Sequence, residues 1–159
     1  IDSVNEQGSA LNNILTLDIN DLAGAPSGSP VSITALAIDA TLTAFDPSWL
    51  SELQVWFIDS SFDTDAAIIG SPGVGNDNPG SGPFSIARTD LTDALLPDIP
   101  LADGVLNLEF AEGFDDAAVD PDGFWSAGSV ITIEAVVVPA PASAALLGLG
   151  GLAAMRRRR

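Results

Sequence analysis

Apolar side chains recur at every second position in several separate stretches, the period of a strand with one face buried. Leu15, Leu17 and Ile19 share a face, with Thr16 and Asp18 on the other. Val31 to Phe45 is a longer apolar and threonine-rich run that changes phase: Val31, Ile33 and Ala35 are followed by Leu36, Ile38, Ala40 and Leu42. A slip of one residue turns every later side chain to the opposite face, so this change predicts a bulge or bend near Ala35 and Leu36. Leu53, Val55 and Phe57 alternate with Gln54, Trp56 and Ile58. Apolar groups on both faces predict a strand inside its sheet. Phe84 and Ile86 begin another short strand, Leu106, Leu108 and Phe110 alternate with Asn107 and Glu109, and Ile131, Ile133, Ala135 and Val137 alternate with Thr132 and Glu134.

Between these runs lie turn-rich connectors, Gly24 to Pro30 and the longer Gly70 to Pro83, which do not readily continue a helix or an inner strand. Thr89 to Leu96 can hold one helical turn, capped by Asp90 or Thr92, with Leu91 and Leu95 facing the core. At least six strands without a long amphipathic helix predict an all-β, antiparallel β-sandwich of jelly-roll type. No internal repeat is visible.

The last stretch breaks this pattern. Ala142 to Met155 carries no charge and stops against Arg156, Arg157, Arg158 and Arg159. A helix over it falls short of the roughly 20 residues that cross a bilayer unaided, which makes it a marginal span. Its apolar residues run around every face instead of forming a stripe, and Gly148, Gly150 and Gly151 weaken it as a soluble helix. Positive-inside orientation would hold the arginines in the cytoplasm. The expected division is therefore an extracellular domain over 1–137 and a sorting and transmembrane tail over 138–159, the tail forming a short apolar helix with a basic end.

Val138-Pro139-Ala140-Pro141, the apolar run and Arg156 to Arg159 together resemble a PEP-CTERM sorting signal of Gram-negative bacteria. The resemblance implies export, transient anchoring in the inner membrane and recognition by an exosortase-type enzyme that removes the tail. Ala140 stands where the family usually has glutamate between its prolines. The likeness covers about the last 22 residues and implies nothing about the activity of the rest. The start at Ile1, with no apolar leader, fits prior removal of a signal peptide.

Charge sharpens the division. Four of the five basic residues lie in the tail, so residues 1–138 hold all 22 acidic groups with Arg88 as their one cation, a formal charge of −21. Such a surface repels phosphate backbones, which excludes nucleic acid as a partner. No cysteine is present to form a disulfide or a thiolate metal site. The chain also lacks His, Tyr and Lys. Nucleophile–imidazole pairs, Schiff-base lysines and imidazole zinc sites are thereby excluded, and only carboxylate chemistry remains. No carboxylate motif accompanies it, so the chain is read as no enzyme.

Asp115, Asp116, Asp120 and Asp122 place four carboxylates within eight positions of a turn-prone segment, the hard oxygen ligands that calcium takes. Their spacing departs from an EF-hand loop, and a solvated acidic loop is the alternative. Asp59, Asp63 and Asp65 with Asn76, Asp77 and Asn78 offer a second oxygen-rich region if their loops meet, against ordinary turn chemistry. Trp49 and Trp125, at strand entrances, are candidates for exposed rings that stack on sugars; the alternative is burial in the core. Glu109 and Glu134 could pair across strands, although like charges opposed on a sheet are destabilising.

Ser48 to Asp59 and Gly123 to Ile133 resemble two strands of exported bacterial sandwiches similar to proprotein-convertase P domains. That likeness implies a jelly roll with a non-catalytic accessory or binding role. The function expected is a structural or adhesive protein of the cell surface or extracellular matrix. Its partners would be the exosortase, the inner membrane in transit, exopolysaccharide or further copies of itself. The alternative is a carbohydrate-binding module supported by Ca2+.

Overall fold

A computed structural model describes residues 1–65, 67–115 and 121–138. The described residues form ten strands and one α-helix in the order β1 (Asp2–Ser3), β2 (Asn13–Asp18), α1 (Ile19–Ala23), β3 (Val31–Ala44), β4 (Leu53–Asp59), β5 (Ile68–Gly70), β6 (Gly80–Asp90), β7 (Ile99–Leu101), β8 (Val105–Glu112), β9 (Gly123–Trp125) and β10 (Val130–Val137). A single 3-10 turn, Leu50–Glu52, leads into β4.

The strands make two antiparallel sheets. β3 organises the first: residues 31–39 pair with β10 and 42–44 with β9, while 31–33 pair with β7 and 35–44 with β6. Since one strand edge holds one partner at a time, β10 and β9 follow each other along one edge and β7 and β6 along the other. β1 extends the sheet beyond β9. The second sheet runs β2-β8-β4-β5.

Both sheets contribute to one buried apolar cluster, with Ile33, Ile38 and Leu42 from β3, Leu53, Val55 and Phe57 from β4, and Leu106, Leu108 and Phe110 from β8. The expected phase change is present. Ala35 and Leu36 are consecutive buried residues, and the registers with β10 and β6 both shift beside them. β4 is interior to its sheet, as its two apolar faces require.

Four details depart from the alternation. Ile19 opens α1 instead of extending β2, because the Asp18 carboxylate accepts the backbone N–H groups of Asn20 and Asp21 and starts a helix. Gly24, at φ +65°, closes that helix after five residues. β6 begins at Gly80 within the glycine- and proline-rich connector. Among the described residues it pairs with β3 alone, and Pro83 is tolerated on an edge strand where its missing N–H costs no ladder bond. Leu91 is buried, but Leu95 sits at φ +62° and is 94 % exposed, so the turn after β6 points only the first leucine inward.

β10 ends at Val137, and the Val138 N–H donates to Pro30 O at 2.8 Å. Pro139, Ala140, Pro141, the expected apolar helix and Arg156 to Arg159 lie outside the described residues.

Candidate functional site

β8 carries two buried glutamates with opposite circumstances. Glu109 points away from the core cluster and is covered by the segment that precedes β2. Its carboxylate accepts from the Gly8 N–H at 2.7 Å, Asn12 Nδ2 at 2.8 Å and Gln7 Nε2 at 3.2 Å. A buried charge with three donors is well satisfied. Glu112 continues the inward phase of Leu106, Leu108 and Phe110, a position where alternation calls for an apolar residue. It is 2 % exposed, and its side-chain hydrogen-bond neighbour is another carboxyl, that of Asp122.

What Glu112 faces is acidic. Burial, together with the neighbouring Asp122 carboxyl and then the charges of Asp115 and Glu52, pushes the Glu112 carboxyl up from 4.5 to about 10. Asp122 is itself fully buried at the entry to β9. Backbone bonds fix this corner: Gly113 N–H donates to Glu52 O at 2.8 Å, Glu112 N–H to Asn5 O at 3.0 Å, and Phe45 N–H to Asp122 O at 2.8 Å. Gly123 can adopt no larger side chain here, since a Cβ would lie 2.4 Å from Thr43 O.

The acidic segment expected from sequence is thus divided. Asp122 is buried beside Glu112 and Asp115 contributes charge, while Asp116 and Asp120 lie outside the described residues. Among the described residues no three acidic side chains gather into a ready metal cage. Comparison with known proteins adds no relative. No family model, curated protein or solved structure matches this chain.

The remaining candidates separate in space. Trp49 is 43 % exposed at the start of the 3-10 turn, whereas Trp125 is buried at 3 %, against the expectation of exposure. Its place on the inward phase of β9 explains this, and it packs edge-on against Phe110 with ring centres 5.4 Å apart. Trp125 still forms part of the wall of an apolar cleft of about 500 Å³ between β2 and β10, with Leu15, Leu17, Ile131 and Ile133. Trp56 is half-buried, its Nε1 donating to Gln54 Oε1 at 3.1 Å.

Glu109 does not meet Glu134. The two belong to different sheets, and Glu134 instead binds Arg88 through two hydrogen bonds of 2.5 and 2.7 Å, which lower its carboxyl below the ordinary range. The second oxygen-rich region performs turn chemistry: Asp59 accepts from the Ser61 and Asp63 N–H groups and Asp63 from that of Asp65. Asp77 accepts from Ser51 Oγ, and the Asn76 and Asn78 carbonyls hold the 3-10 turn. Among the described residues no helix is long and apolar enough to cross a membrane.

Proposed function

We propose that this chain is a non-catalytic structural or adhesive protein, exported to the cell surface or extracellular matrix of a Gram-negative bacterium through an exosortase-type sorting system. The observation that carries the reading is the ending from Val138 through Pro139 and Pro141 to the four arginines. The two sheets are read as a jelly-roll-like extracellular domain over 1–137, and the signal begins at Val138, the residue after β10. Composition supports a non-catalytic role, because the chain has no His, Cys, Tyr or Lys to activate a nucleophile. Outer strands β2 and β10 offer edges for association of copies.

Intact-mass measurement of the protein released by its producer tests the sorting claim. Loss of residues beyond Pro141 is expected, and a released form that keeps Arg156 to Arg159 overturns it. Carbohydrate binding is the second reading, favoured by the exposed ring of Trp49. Retention on the producer's exopolysaccharide that disappears in a folded Trp49→Ala variant would establish it.

A further inference from the structure

We propose that the uncharged stretch after β10 folds back on its own domain, with residues 144–152 lying as an added strand in the cleft between β2 and β10. The core is open along that side. Leu15 and Leu17 stand opposite Leu108 and Leu106 in the ladder and so belong to the inward face of their sheet, yet Leu15 is 44 % exposed and Leu17 only half-buried. Ile131 and Ile133 stand opposite Ile38 and Leu36 in the other sheet and are likewise half-buried. A second apolar hollow of about 380 Å³ shares Leu17, Ile131 and Ile133 with the cleft of about 500 Å³ and reaches Leu22 of α1. The two form one groove along β10 from Gly128 to Ala135.

Free backbone borders the same groove. Among the described residues β2 pairs with β8 alone and β10 with β3 alone, so each keeps an open edge. Edge strands are ordinarily blunted by charge or proline, as β6 is by Pro83 and Arg88. The single charge of β10, Glu134, is taken up by Arg88, and that of β2, Asp18, caps α1. An apolar groove between two unblunted edges calls for a cover.

The chain carries one. Residues 139–155 follow directly after Val138 and contain no charged side chain. The end of the groove beside α1 is also the end at which β10 stops. A reversal over the five residues 139–143, where two prolines end strand pairing, returns the chain along the groove antiparallel to β10. At about 3.3 Å per residue, residues 144–152 reach about 30 Å, enough to pass the seven residues from Ile131 to Val137. In extended form Ala145, Leu147 and Leu149 share the face that enters the groove. Charge favours the same direction. The run ends in Arg156 to Arg159, and the Gly128 end of the groove is flanked by Asp39 and, beside Ile1, by Asp2. A tethered strand meets the groove at high effective concentration, ahead of a second copy.

This placement does not depend on sorting. Where an exosortase removes the tail, cleavage uncovers both edges for the association of copies, and that consequence rests on the sorting reading.

The chain has no cysteine, so pairs introduced into the full chain report the contact directly. Leu17→Cys is combined with single cysteines at each of residues 144–152 and oxidised at low protein concentration in buffer without detergent. Disulfides within one chain are expected at alternate positions, Leu147→Cys and Leu149→Cys among them, since a strand presents every second side chain. Thr132→Cys, on the outward face of β10, should link at none of them. Links only between chains overturn the proposal and give the groove to a second copy; no link, or equal linking of Thr132→Cys, also overturns it. Amide exchange of the unsubstituted chain decides the matter even where a cysteine variant fails to fold. Residues 144–152 should exchange about tenfold or more slowly than an unstructured peptide, and Leu147→Asp with Leu149→Asp should abolish that protection. Fast exchange throughout 144–152, or a full chain that stays in solution only with detergent, overturns the proposal. These measurements use purified protein, so their failure leaves the sorting proposal untouched.

Discussion

Glu109 and Glu112 stand three residues apart on one strand, face opposite sides of it and meet opposite electrostatic surroundings. For Glu109 the environment is made of donors that tie residues 7–12 to the sheet. Glu109→Ala should therefore cost about 3 kcal/mol in urea unfolding, because it strands buried donors as well as losing charge-assisted bonds. Faster exchange of the Gly8 amide should accompany that loss. For Glu112 the sign is reversed. Its folded pKa of about 10 lies above the unfolded value of 4.5, so the folded chain retains a proton that the unfolded chain releases. That contribution is fully present below pH 4.5 and is lost as pH rises toward 10. Unfolding midpoints should fall over this interval, and Glu112→Gln should flatten the slope; an equal slope in the variant would contradict the assignment. The surrounding carboxylates Asp122, Asp115 and Glu52 all act in the same direction.

At the scale of elements, β3 and β4 carry most of the burial, while α1 adds Ile19 to the core and is fastened by polar contacts. Phe57 on β4 is 1 % exposed and lies in the core shared by both sheets. Phe57→Ala should destabilise the chain by about 3 to 5 kcal/mol, measured by denaturant unfolding. α1 has five residues, too few to persist alone, and the buried Asn20 fastens it by donating from Nδ2 to Ser29 O at 3.1 Å and Asp103 O at 3.0 Å. Asn20→Ala should cost about 2 kcal/mol by leaving those carbonyls unpaired. Thermal unfolding would report it as a lower midpoint with an unchanged strand signal at low temperature. The phase change at Ala35 and Leu36 was legible in sequence because two adjacent buried apolar residues cannot occur in an uninterrupted strand with one buried face. α1 was not legible, since its start depends on one capping aspartate and its hold on a distant loop carbonyl.

For the whole molecule, charge is the dominant long-range feature. Residues 1–138 repel one another with a formal charge of −21, relieved by the Arg88 guanidinium at Glu134. Sodium chloride should raise the unfolding midpoint over the range where the Debye length shrinks from about 30 to 10 Å. A midpoint that falls with salt would show that attractive pairs outweigh the net repulsion. The sequence by itself determined the alternating strands, the bulge in β3, the interior place of β4, the acidic body and the basic, apolar ending. Those properties are local or additive, so residue order and composition suffice to state them. Tertiary structure decided that Trp125 is packed against Phe110, that Glu134 meets Arg88 and that Glu112 faces Asp122. A continued count of two from Phe110 would have placed Glu112 inward, yet nothing local reveals what it meets there. The neighbours of a buried carboxylate come from strands distant in the chain, and their register is fixed by packing of the sheets as a whole.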